Sequence, residues 1–316
     1  MSDSSRVDAA VIIVGVNARR FVAQCVESVR NADWAGYSHH VIYCDNGSTD
    51  GTLELLASEY PWVETIANGK NLGYCIAANI GAKRADARYF IFINDDTIIQ
   101  GDALARLVRY MDDYPDAATV GSRLVFPDGR DQWSGRRFPD IMASIFSRRG
   151  WLVKVFPNLG TVRDYLCKDG VERGEPFDVD WVSAAGHIVR PEHFWAVGGY
   201  AEDYYYWHEM VICHRLKQKG WRVVLDPKSV IIHYEGFGSG PRPFKKLRFH
   251  IIDFHIGAYR AYKEVHNLRA WSPISIFCAA ALTGRAALLL VIAAVKCSWN
   301  AIRPPQQPLP VTQTNA

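Results

Sequence analysis

The chain has 316 residues, of which 49% are hydrophobic and 22% are charged, and its formal net charge is +3. This composition is that of an ordinary globular protein, and the length suffices for one large α/β domain with or without an appendage. The small net charge does not indicate nucleic acid as a partner, and none is expected. The seven cysteines are scattered without a CxxC pair, which predicts reduced thiols and a cytoplasmic location.

Strand and helix patterns alternate through the first half of the chain and predict a doubly wound sheet. The predicted strands are residues 9–16, 40–44, 63–67 and 89–93. The predicted helices are residues 18–31, 52–60, the stretch from Gly73 to about residue 85, and 102–114.

The pattern weakens after residue 120, where residues 121–176 read as a long variable loop region rich in Gly, Pro, Asp and Arg. The later predicted elements are an ordered stretch at 177–188, a short helix at 190–197, a helix at 208–219 ended by Gly220, and two short strands at 221–225 and 229–233.

Residues 273–295 are almost entirely apolar and just long enough to span a bilayer. Arg285 stands near the middle of this stretch, where a charge costs about 2.5–3.5 kcal/mol on insertion scales. These features favour an interfacial helix whose Arg285 reaches the headgroups, with Lys245, Lys246 and Arg248 adding attraction to anionic lipid. The alternative is a helical hairpin buried inside the fold.

The tetrapeptide Asn94-Asp95-Asp96-Thr97 directly follows the apolar run at 89–93, so acids stand at the carboxyl end of a predicted buried strand. Open α/β sheets bind their ligands in this crevice. Two adjacent carboxylates repel each other there, and a divalent cation that carries a diphosphate compensates their charge. The alternative is a strand-to-helix turn in which Asp96 or Thr97 caps the following helix.

Several other motifs accompany this tetrapeptide in a fixed order along the chain. They are the apolar run 11–14, Asn17 after the first strand, the turn 45–51, Asn71-Leu72-Gly73, Asp180-Trp181-Val182-Ser183, and residues 209–220. The ordered set strongly resembles the family 2 glycosyltransferases, and most closely their rhamnosyltransferase-like branch, from about residue 9 to residue 240. The resemblance implies a GT-A fold, which is a doubly wound mixed sheet flanked by helices.

The resemblance also implies which residues bind the nucleotide-sugar donor and the metal. The implied donor residues are Asn17, Asp45, Asn71, Gly73, Asn94 and Asp95. The family's acid at the position of Asp45 hydrogen-bonds the nucleobase edge, although an Asx bond within its own turn is the alternative here. Asp96 and His233 are the implied ligands of Mg²⁺ or Mn²⁺, and a purely structural role is the alternative for His233.

For the acceptor side, the resemblance implies that the faces of Trp181 and Trp207 contact sugar, with core packing as the alternative for each ring. At the positions of residues 209 and 210 relatives commonly carry Glu-Asp, and they carry a second Asp at the position of residue 212. This chain keeps Glu209 but has Met210 and Ile212 in place of the two aspartates. An inverting transferase needs a base that takes the proton of the acceptor hydroxyl. Glu209 is the first candidate for this base, and His208 is the second.

Four regions follow from these observations: a disordered amino terminus at 1–6, a GT-A domain at 7–240, a helical membrane-associating region at 241–302, and a disordered tail at 303–316. The amino terminus has no apolar signal-peptide region, so a peripheral location at the inner face of the cell membrane is expected.

The expected reaction is inverting, metal-dependent transfer of a sugar, with rhamnose one candidate, from a dTDP- or UDP-sugar to a glycan or polyprenyl-linked acceptor in cell-surface polysaccharide assembly. The first alternative is a non-catalytic sugar-nucleotide-binding subunit, motivated by the missing aspartates. A sugar nucleotidyltransferase is a weaker alternative, because the region around the first strand lacks the Gly-rich segment with Arg or Lys that such enzymes carry.

Overall fold

The computed structural model describes residues 6–139, 155–156, 158–235 and 243–302, with the backbone alone for 299–302. The predicted disordered tail at 303–316 lies outside these ranges, as do residues 1–5 of the predicted disordered amino terminus.

The described residues form eleven strands and ten helices. The strands are β1 (Val7–Gly15), β2 (His39–Asp45), β3 (Glu64–Ala67), β4 (Ala87–Asn94), β5 (Thr97–Ile99), β6 (Ala117–Val125), β7 (Gly135–Arg136), β8 (Phe177–Asp178), β9 (Trp181–Val182), β10 (Gly186–Val189) and β11 (Arg222–His233). The helices are α1 (Val22–Arg30), α2 (Thr52–Glu59), α3 (Tyr74–Arg84), α4 (Ala103–Asp113), α5 (Gly160–Tyr165), α6 (Lys168–Arg173), α7 (Pro191–Ala196), α8 (His208–Gln218), α9 (Phe244–Val265) and α10 (Pro273–Ile302).

The main sheet has the strand order β3–β2–β1–β4–β10–β6–β11–β5, with β8 added beside β11. The strands β3, β2, β1 and β4 are mutually parallel, and β6 and β11 are parallel to each other. Strand β10 runs antiparallel to both of its neighbours and joins these two halves. The mixed sheet flanked by helices confirms the predicted fold class.

Helices cover both faces of the sheet because its central strands are apolar on both sides. In β1, Ile12 belongs to a core cluster with residues of α3 and α8, whereas Ile13 belongs to a second cluster with residues of α1 and α4. Both side chains are fully buried. Alternate residues of one strand therefore anchor the two helical layers.

The predicted loop region at 121–176 is wrong in part, because it contains most of β6 as well as β7, α5 and α6. The apolar pattern does not reveal strand β6, because Gly121, Ser122 and Arg123 interrupt the run of apolar residues. Gly121 is nevertheless required by packing, since a Cβ there would lie 2.6 Å from the Cγ1 atom of Val182.

Two other predictions need correction. Thr97 begins strand β5, and Asp102 precedes α4 without a side-chain capping bond, so the capping interpretation of Asp96 or Thr97 is wrong. The two short strands predicted around Asp226 are one strand, β11, with an irregular register between Asp226 and Val230.

The C-terminal helices α9 and α10 pack against each other. Within the described residues one helical stretch, Pro273–Ser298, is long and apolar enough to cross a membrane, and its most apolar part has a mean hydropathy of 2.2 with only 11% of it buried. The alternative of a hairpin buried inside the fold is therefore wrong. Arg285 has a partner that the sequence did not indicate, because its guanidinium donates to Nε2 of His255 over 3.1 Å.

Candidate functional site

The predicted site residues collect at one edge of the sheet because the parallel strands end in register. Gly15 pairs with Asp45, and Val14 pairs with Asn94, so β1, β2 and β4 finish side by side. Asn17 and the acidic tetrapeptide follow directly from these ends. The sheet thus brings these predicted donor residues to one edge, which is where open α/β sheets bind their ligands.

Asp96 and His233 meet at this edge although 137 positions separate them in the chain. The last residue of β11 is His233, and it pairs antiparallel with Thr97 of β5. This register places the Nε2 atom of His233 3.3 Å from the Oδ1 atom of Asp96. The backbone N–H of Tyr234 also donates to the carbonyl oxygen of Asp96 over 2.9 Å, which fixes the two segments to each other.

Gln132 sets the orientation of the His233 ring and is a residue that the sequence did not indicate. Its Nε2 donates to the backbone carbonyl of His233 over 2.7 Å, which identifies the other terminal atom, Oε1, as an acceptor. That oxygen lies 2.8 Å from Nδ1 of His233 and therefore accepts a hydrogen from it. In the neutral ring this bond leaves Nε2 as an acceptor, which lies 3.3 Å from the donor Nδ2 of Asn94 and 3.3 Å from Oδ1 of Asp96.

These atoms suit a divalent cation. The Oδ1 atom of Asp96 is buried and has no hydrogen-bond partner. It faces Nε2 of His233, which is also an acceptor and cannot donate to it in the neutral ring. Two acceptors this close repel each other, and a cation between them would remove the repulsion. The described part of the chain contains no group of three or more His, Cys, Asp or Glu that could hold a metal ion. One carboxylate and one imidazole, completed by diphosphate oxygens and water, is a ligand set that Mg²⁺ or Mn²⁺ accepts.

Asp95 occupies a different environment from its neighbour. Burial, and then repulsion by Asp96, raises the pKa of Asp95 to about 8, although the backbone N–H of Val16 donates to its carboxylate. Gly15 makes room for this carboxylate, because a Cβ at Gly15 would lie 2.3 Å from the Oδ2 atom of Asp95 and 2.1 Å from the hydroxyl oxygen of Tyr43. The Tyr43 hydroxyl is buried without a hydrogen-bond partner, and no sequence motif indicated it.

Two polar loops next to these acids stabilise each other. The Oδ1 atom of Asn17 accepts from the N–H of Thr49 over 2.8 Å, and the N–H of Asn17 donates to Ser48 Oγ over 2.8 Å. The Oδ2 atom of Asp45 accepts from the N–H groups of Gly47 and Ser48, each over 2.9 Å. The Asx turn that was the alternative for Asp45 is therefore present, and its contact with a nucleobase stays a prediction.

The segment before α3 lies beside the loop after β2. The N–H of Gly73 donates to Oδ1 of Asn71 over 2.9 Å. Gly73 has φ +86° and ψ 164°, a backbone conformation open only to glycine. Its carbonyl accepts from Nδ2 of Asn46 over 3.2 Å, which ties this segment to the loop after β2. Both predicted residues therefore lie beside the Asp45 turn.

His208 and Glu209 form the first turn of α8. Neither ring nitrogen of His208 has a hydrogen-bond partner, although the residue is only 8% exposed. The Oε2 atom of Glu209 is also buried without a hydrogen-bond partner and lies 3.5 Å from Nε2 of His208. A partly exposed acid beside a buried imidazole, both with unused hydrogen-bonding atoms, has the chemistry of a proton-transfer site.

Tyr74 connects this pair to the edge of the sheet. Its ring stacks on His208 with a centroid distance of 4.9 Å, and its hydroxyl donates to the carbonyl of Ala184 over 3.1 Å. Ala184 lies two residues before Gly186, which pairs with Ile93 at the end of β4. The first turn of α8 therefore faces the same edge as the acidic tetrapeptide.

Positions 210 and 212, where relatives carry aspartate, face the core of the domain. Met210 is 1% exposed and Ile212 is 2% exposed, and both belong to the core cluster between α8 and the sheet. A carboxylate at either position would be buried among apolar side chains rather than presented to a substrate. Met210 and Ile212 therefore fill core positions, and the assignment of the base to Glu209 stays a prediction.

The two tryptophans differ in their surroundings. Trp181 is 2% exposed, its Nε1 donates to the carbonyl of Arg137 over 3.0 Å, and the Arg136 guanidinium lies 4.4 Å from its ring centre. Trp181 therefore packs in the core, which was the alternative to a sugar contact, and its ring has no exposed face for a sugar. Trp207 is half-buried at the start of α8, and its Nε1 donates to the carbonyl of Phe254 in α9 over 3.0 Å.

Residues 10–166 match the family model described as "Glycosyl transferase family 2". The chain is also 29% identical over 242 residues to the N-acetylglucosaminyl-diphospho-decaprenol L-rhamnosyltransferase of Mycobacterium tuberculosis. The alignment covers 70% of this chain and 77% of the relative. The chain belongs to glycosyltransferase family 2. This glycosyltransferase is also 23% identical over 276 residues to the rhamnosyltransferase WbbL of Escherichia coli K12, which covers 84% of the chain and 97% of WbbL.

Solved structures with low sequence identity share the fold of this glycosyltransferase. The mannosyltransferase PcManGT from Pyrobaculum calidifontis, solved with GDP-Man and Mn²⁺, aligns with a TM-score of 0.56 at 14% identity over 96% of this chain and 77% of its own. GalNAc-T7, solved with UDP, GalNAc and Mn²⁺, aligns with a TM-score of 0.55 at 16% identity over 84% of this chain. The alignment spans only 55% of the GalNAc-T7 chain.

Proposed function

We propose that this glycosyltransferase moves a sugar, with rhamnose the first candidate, from a nucleoside diphosphate donor to a hydroxyl of a lipid-linked glycan acceptor, with inversion at the anomeric carbon. The donor would be a dTDP- or UDP-sugar. The observation that carries this proposal is the pairing of Asp96, through its buried Oδ1 atom, with His233 at the carboxyl edge of the sheet. Similarity to a relative named for a diphospho-decaprenol acceptor supports the lipid-linked substrate.

At the donor end, Asp96 and His233 would hold Mg²⁺ or Mn²⁺. The cation would stabilise negative charge on the departing nucleoside diphosphate. Gln132 keeps the His233 ring in the orientation that presents Nε2 to Asp96. The loops that contain Asn17 and the Asp45 turn follow the neighbouring strand ends at the same edge of the sheet and would receive the nucleoside.

At the acceptor end, Glu209 would take the proton of the attacking hydroxyl. Its Oε2 atom is buried and has no hydrogen-bond partner, so an acceptor hydroxyl would satisfy it. His208 lies within 3.5 Å and is the second candidate for the same proton. No observation on α8 favours a non-catalytic binding subunit, because the substituted positions 210 and 212 lie in the core.

The C-terminal hairpin would hold the enzyme peripherally at the inner face of the cell membrane, where lipid-linked acceptors of cell-surface polysaccharide assembly are available. Its exposed apolar side chains support this placement, because a soluble domain rarely exposes large contiguous apolar surface. Deletion of residues 270–316 should release the protein from membranes, and continued sedimentation with lipid vesicles would contradict the placement.

The test of the function is a donor screen with Mg²⁺ and Mn²⁺, first by thermal shift and then by release of nucleoside diphosphate in the presence of lipid-linked acceptors. We expect Glu209→Gln to lower the rate by about 10²-fold or more while the donor still stabilises the protein. A matched His208→Gln variant identifies the base. If Glu209→Gln stays active and His208→Gln is inactive, the roles are reversed. Donor binding without turnover on any acceptor would refute the proposed reaction.

A further inference from the structure

The first turns of α9 and the last turns of α10 present an exposed surface that combines apolar and cationic side chains. In α9, Phe249, Ile252 and Ile256 are 52%, 40% and 53% exposed and share one side of the helix through their i, i+3 and i+7 spacing. Lys245, Lys246 and Arg248 are exposed on the preceding turns, and none of the ion pairs among the described residues involves them. This combined surface is called the lipid seat below.

The lipid seat lies at the active-site end of α9. Trp207, at the start of α8, donates to the carbonyl of Phe254, and Arg215 of the same helix donates to Glu264 over 2.7 Å. Helix α9 therefore runs beside α8 in the same direction. Residues 245–249 precede Phe254 by five to nine positions, so they extend about 7–14 Å beyond the start of α8. The cationic turns thus project past the helix end that carries Glu209.

Direct contacts join the lipid seat to the segment that leads into α8. The hydroxyl of Tyr206 lies 2.9 Å from Nδ1 of His250, and the rings of Tyr205 and Phe249 contact each other edge to face with centroids 5.4 Å apart. Tyr205 is itself 37% exposed. The aromatic surface therefore continues without a gap from α9 to the residues just before His208.

Helix α10 extends the apolar part of the lipid seat. The bond from Arg285 to His255 sets the alignment of the two antiparallel helices, so residues after Arg285 lie beside the earlier turns of α9. Leu288, Val291 and Val295 follow on one side of α10 and are 60%, 61% and 61% exposed. Lys296 is exposed beyond them. The active-site end of the hairpin is therefore apolar along its length and cationic at its tip.

We infer that the lipid seat binds the isoprenoid diphosphate part of the acceptor, with the first isoprene units against the apolar side chains and the diphosphate against Lys245, Lys246 and Arg248. This inference rests on the proposed function. A polyprenyl diphosphate has an apolar chain joined to a compact anion, and the surface has the complementary order of charge and hydrophobicity. The acceptor sugar beyond the diphosphate would then reach the start of α8 and Glu209.

The test uses the full-length protein and farnesyl diphosphate as a soluble probe, with EDTA present so that no cation recruits the diphosphate to Asp96. Isothermal titration calorimetry measures the affinity. Replacing the three cations in K245Q/K246Q/R248Q should weaken binding by about 10²-fold, if each contributes what a basic residue near an anionic lipid usually does. The matched control K83Q/R109Q/K219Q removes the same charge from exposed positions elsewhere and should leave the affinity unchanged.

The apolar part has a control within the same hairpin. Ile252 and Ile256 lie in the lipid seat, whereas Ile274 and Ile276 are 41% and 58% exposed near the opposite end. I252S/I256S should weaken farnesyl diphosphate at least about tenfold, and I274S/I276S should not. Inorganic diphosphate, which lacks the chain, should bind the wild type and I252S/I256S equally weakly.

The outcomes separate this site from a general membrane contact. If both isoleucine pairs leave farnesyl diphosphate unchanged but reduce binding to anionic vesicles equally, the hairpin contacts only bulk lipid and the lipid seat is refuted. An unchanged affinity in K245Q/K246Q/R248Q also refutes it. The proposed function fails by a different result, which is wild-type protein that binds farnesyl diphosphate yet transfers no sugar to a lipid-linked acceptor. If K245Q/K246Q/R248Q and I252S/I256S both turn over with the acceptor KM of the wild type, the lipid seat is refuted while the proposed function is not.

Discussion

Gln132 is expected to control the metal affinity of the site without contacting the metal. The substitution Gln132→Met keeps the length of the side chain but removes both of its bonds to His233, the donation to the carbonyl at 2.7 Å and the acceptance from Nδ1 at 2.8 Å. The ring then loses the bond that keeps its Nε2 lone pair directed at Asp96. The variant should therefore need more metal for the same turnover.

The size of the effect follows from these contacts. Loss of a partner that orients a metal-binding histidine typically lowers metal affinity by about 10–100-fold, which corresponds to about 1.4–2.8 kcal/mol of binding free energy. The protein should also lose about 1–3 kcal/mol of unfolding free energy, because the buried carbonyl of His233 is left without its donor. The saturating turnover rate should change much less than the metal requirement.

The assay is the dependence of nucleoside diphosphate release on Mg²⁺ or Mn²⁺ at fixed donor and acceptor concentrations. Ser134→Ala is the matched control, since Ser134 also makes two buried hydrogen bonds, to Ser122 and Leu124, in the same segment without contacting His233. The control should lose stability but keep its metal requirement. An unchanged metal requirement in Gln132→Met, or an equal change in both variants, would refute the orienting role.

Three further predictions concern the site and its supporting core. Asp96→Ala should abolish metal-dependent turnover, and full activity in this variant would remove Asp96 from the site. Gly15→Ala should lower the melting temperature and weaken donor binding, because its Cβ would lie 2.1 Å from the Tyr43 hydroxyl oxygen; an unchanged melting temperature would contradict the crowding. Burial lowers the pKa of His187 to about 3, so the unfolded state binds more protons than the folded state between about pH 3 and 6.5. Acidification from pH 7 to pH 5 should therefore remove about 2 kcal/mol of unfolding free energy through this group, and urea unfolding of His187→Gln should show a correspondingly flatter pH dependence.

The sequence was sufficient for the elements whose patterns are local. The alternation of strands and helices through the first half, and the helix ended by Gly220, are confirmed because apolar spacing and turn residues lie within each segment. Strand β6 was missed because Gly121 is selected by the distant Val182 rather than by its neighbours. The contact that would have explained the glycine is visible only after the sheet has formed.

The same limit applies to the site. Asp96 could be inferred because acids at the end of an apolar strand have a recognisable chemical consequence. Gln132 could not be inferred, since its partner His233 is 101 positions away and nothing in the surrounding sequence marks either bond. Tyr43 was not predicted for a related reason, because a buried tyrosine in a strand usually belongs to the core. Its hydroxyl becomes relevant only because Asp95 lies close to it in the folded chain.

Position in the fold also decides how a substitution in a motif is to be judged. Met210 and Ile212 stand where aspartates were expected, and from the sequence alone their presence left open a chain that binds donor without turnover. In the structure both side chains are enclosed in the core between α8 and the sheet, so apolar residues are what the packing requires there. The first turn of the helix is the part that reaches the edge of the sheet, and it keeps Glu209 beside His208 with hydrogen-bonding atoms unused. A departure from a family pattern therefore bears on catalysis only where the helix faces the crevice.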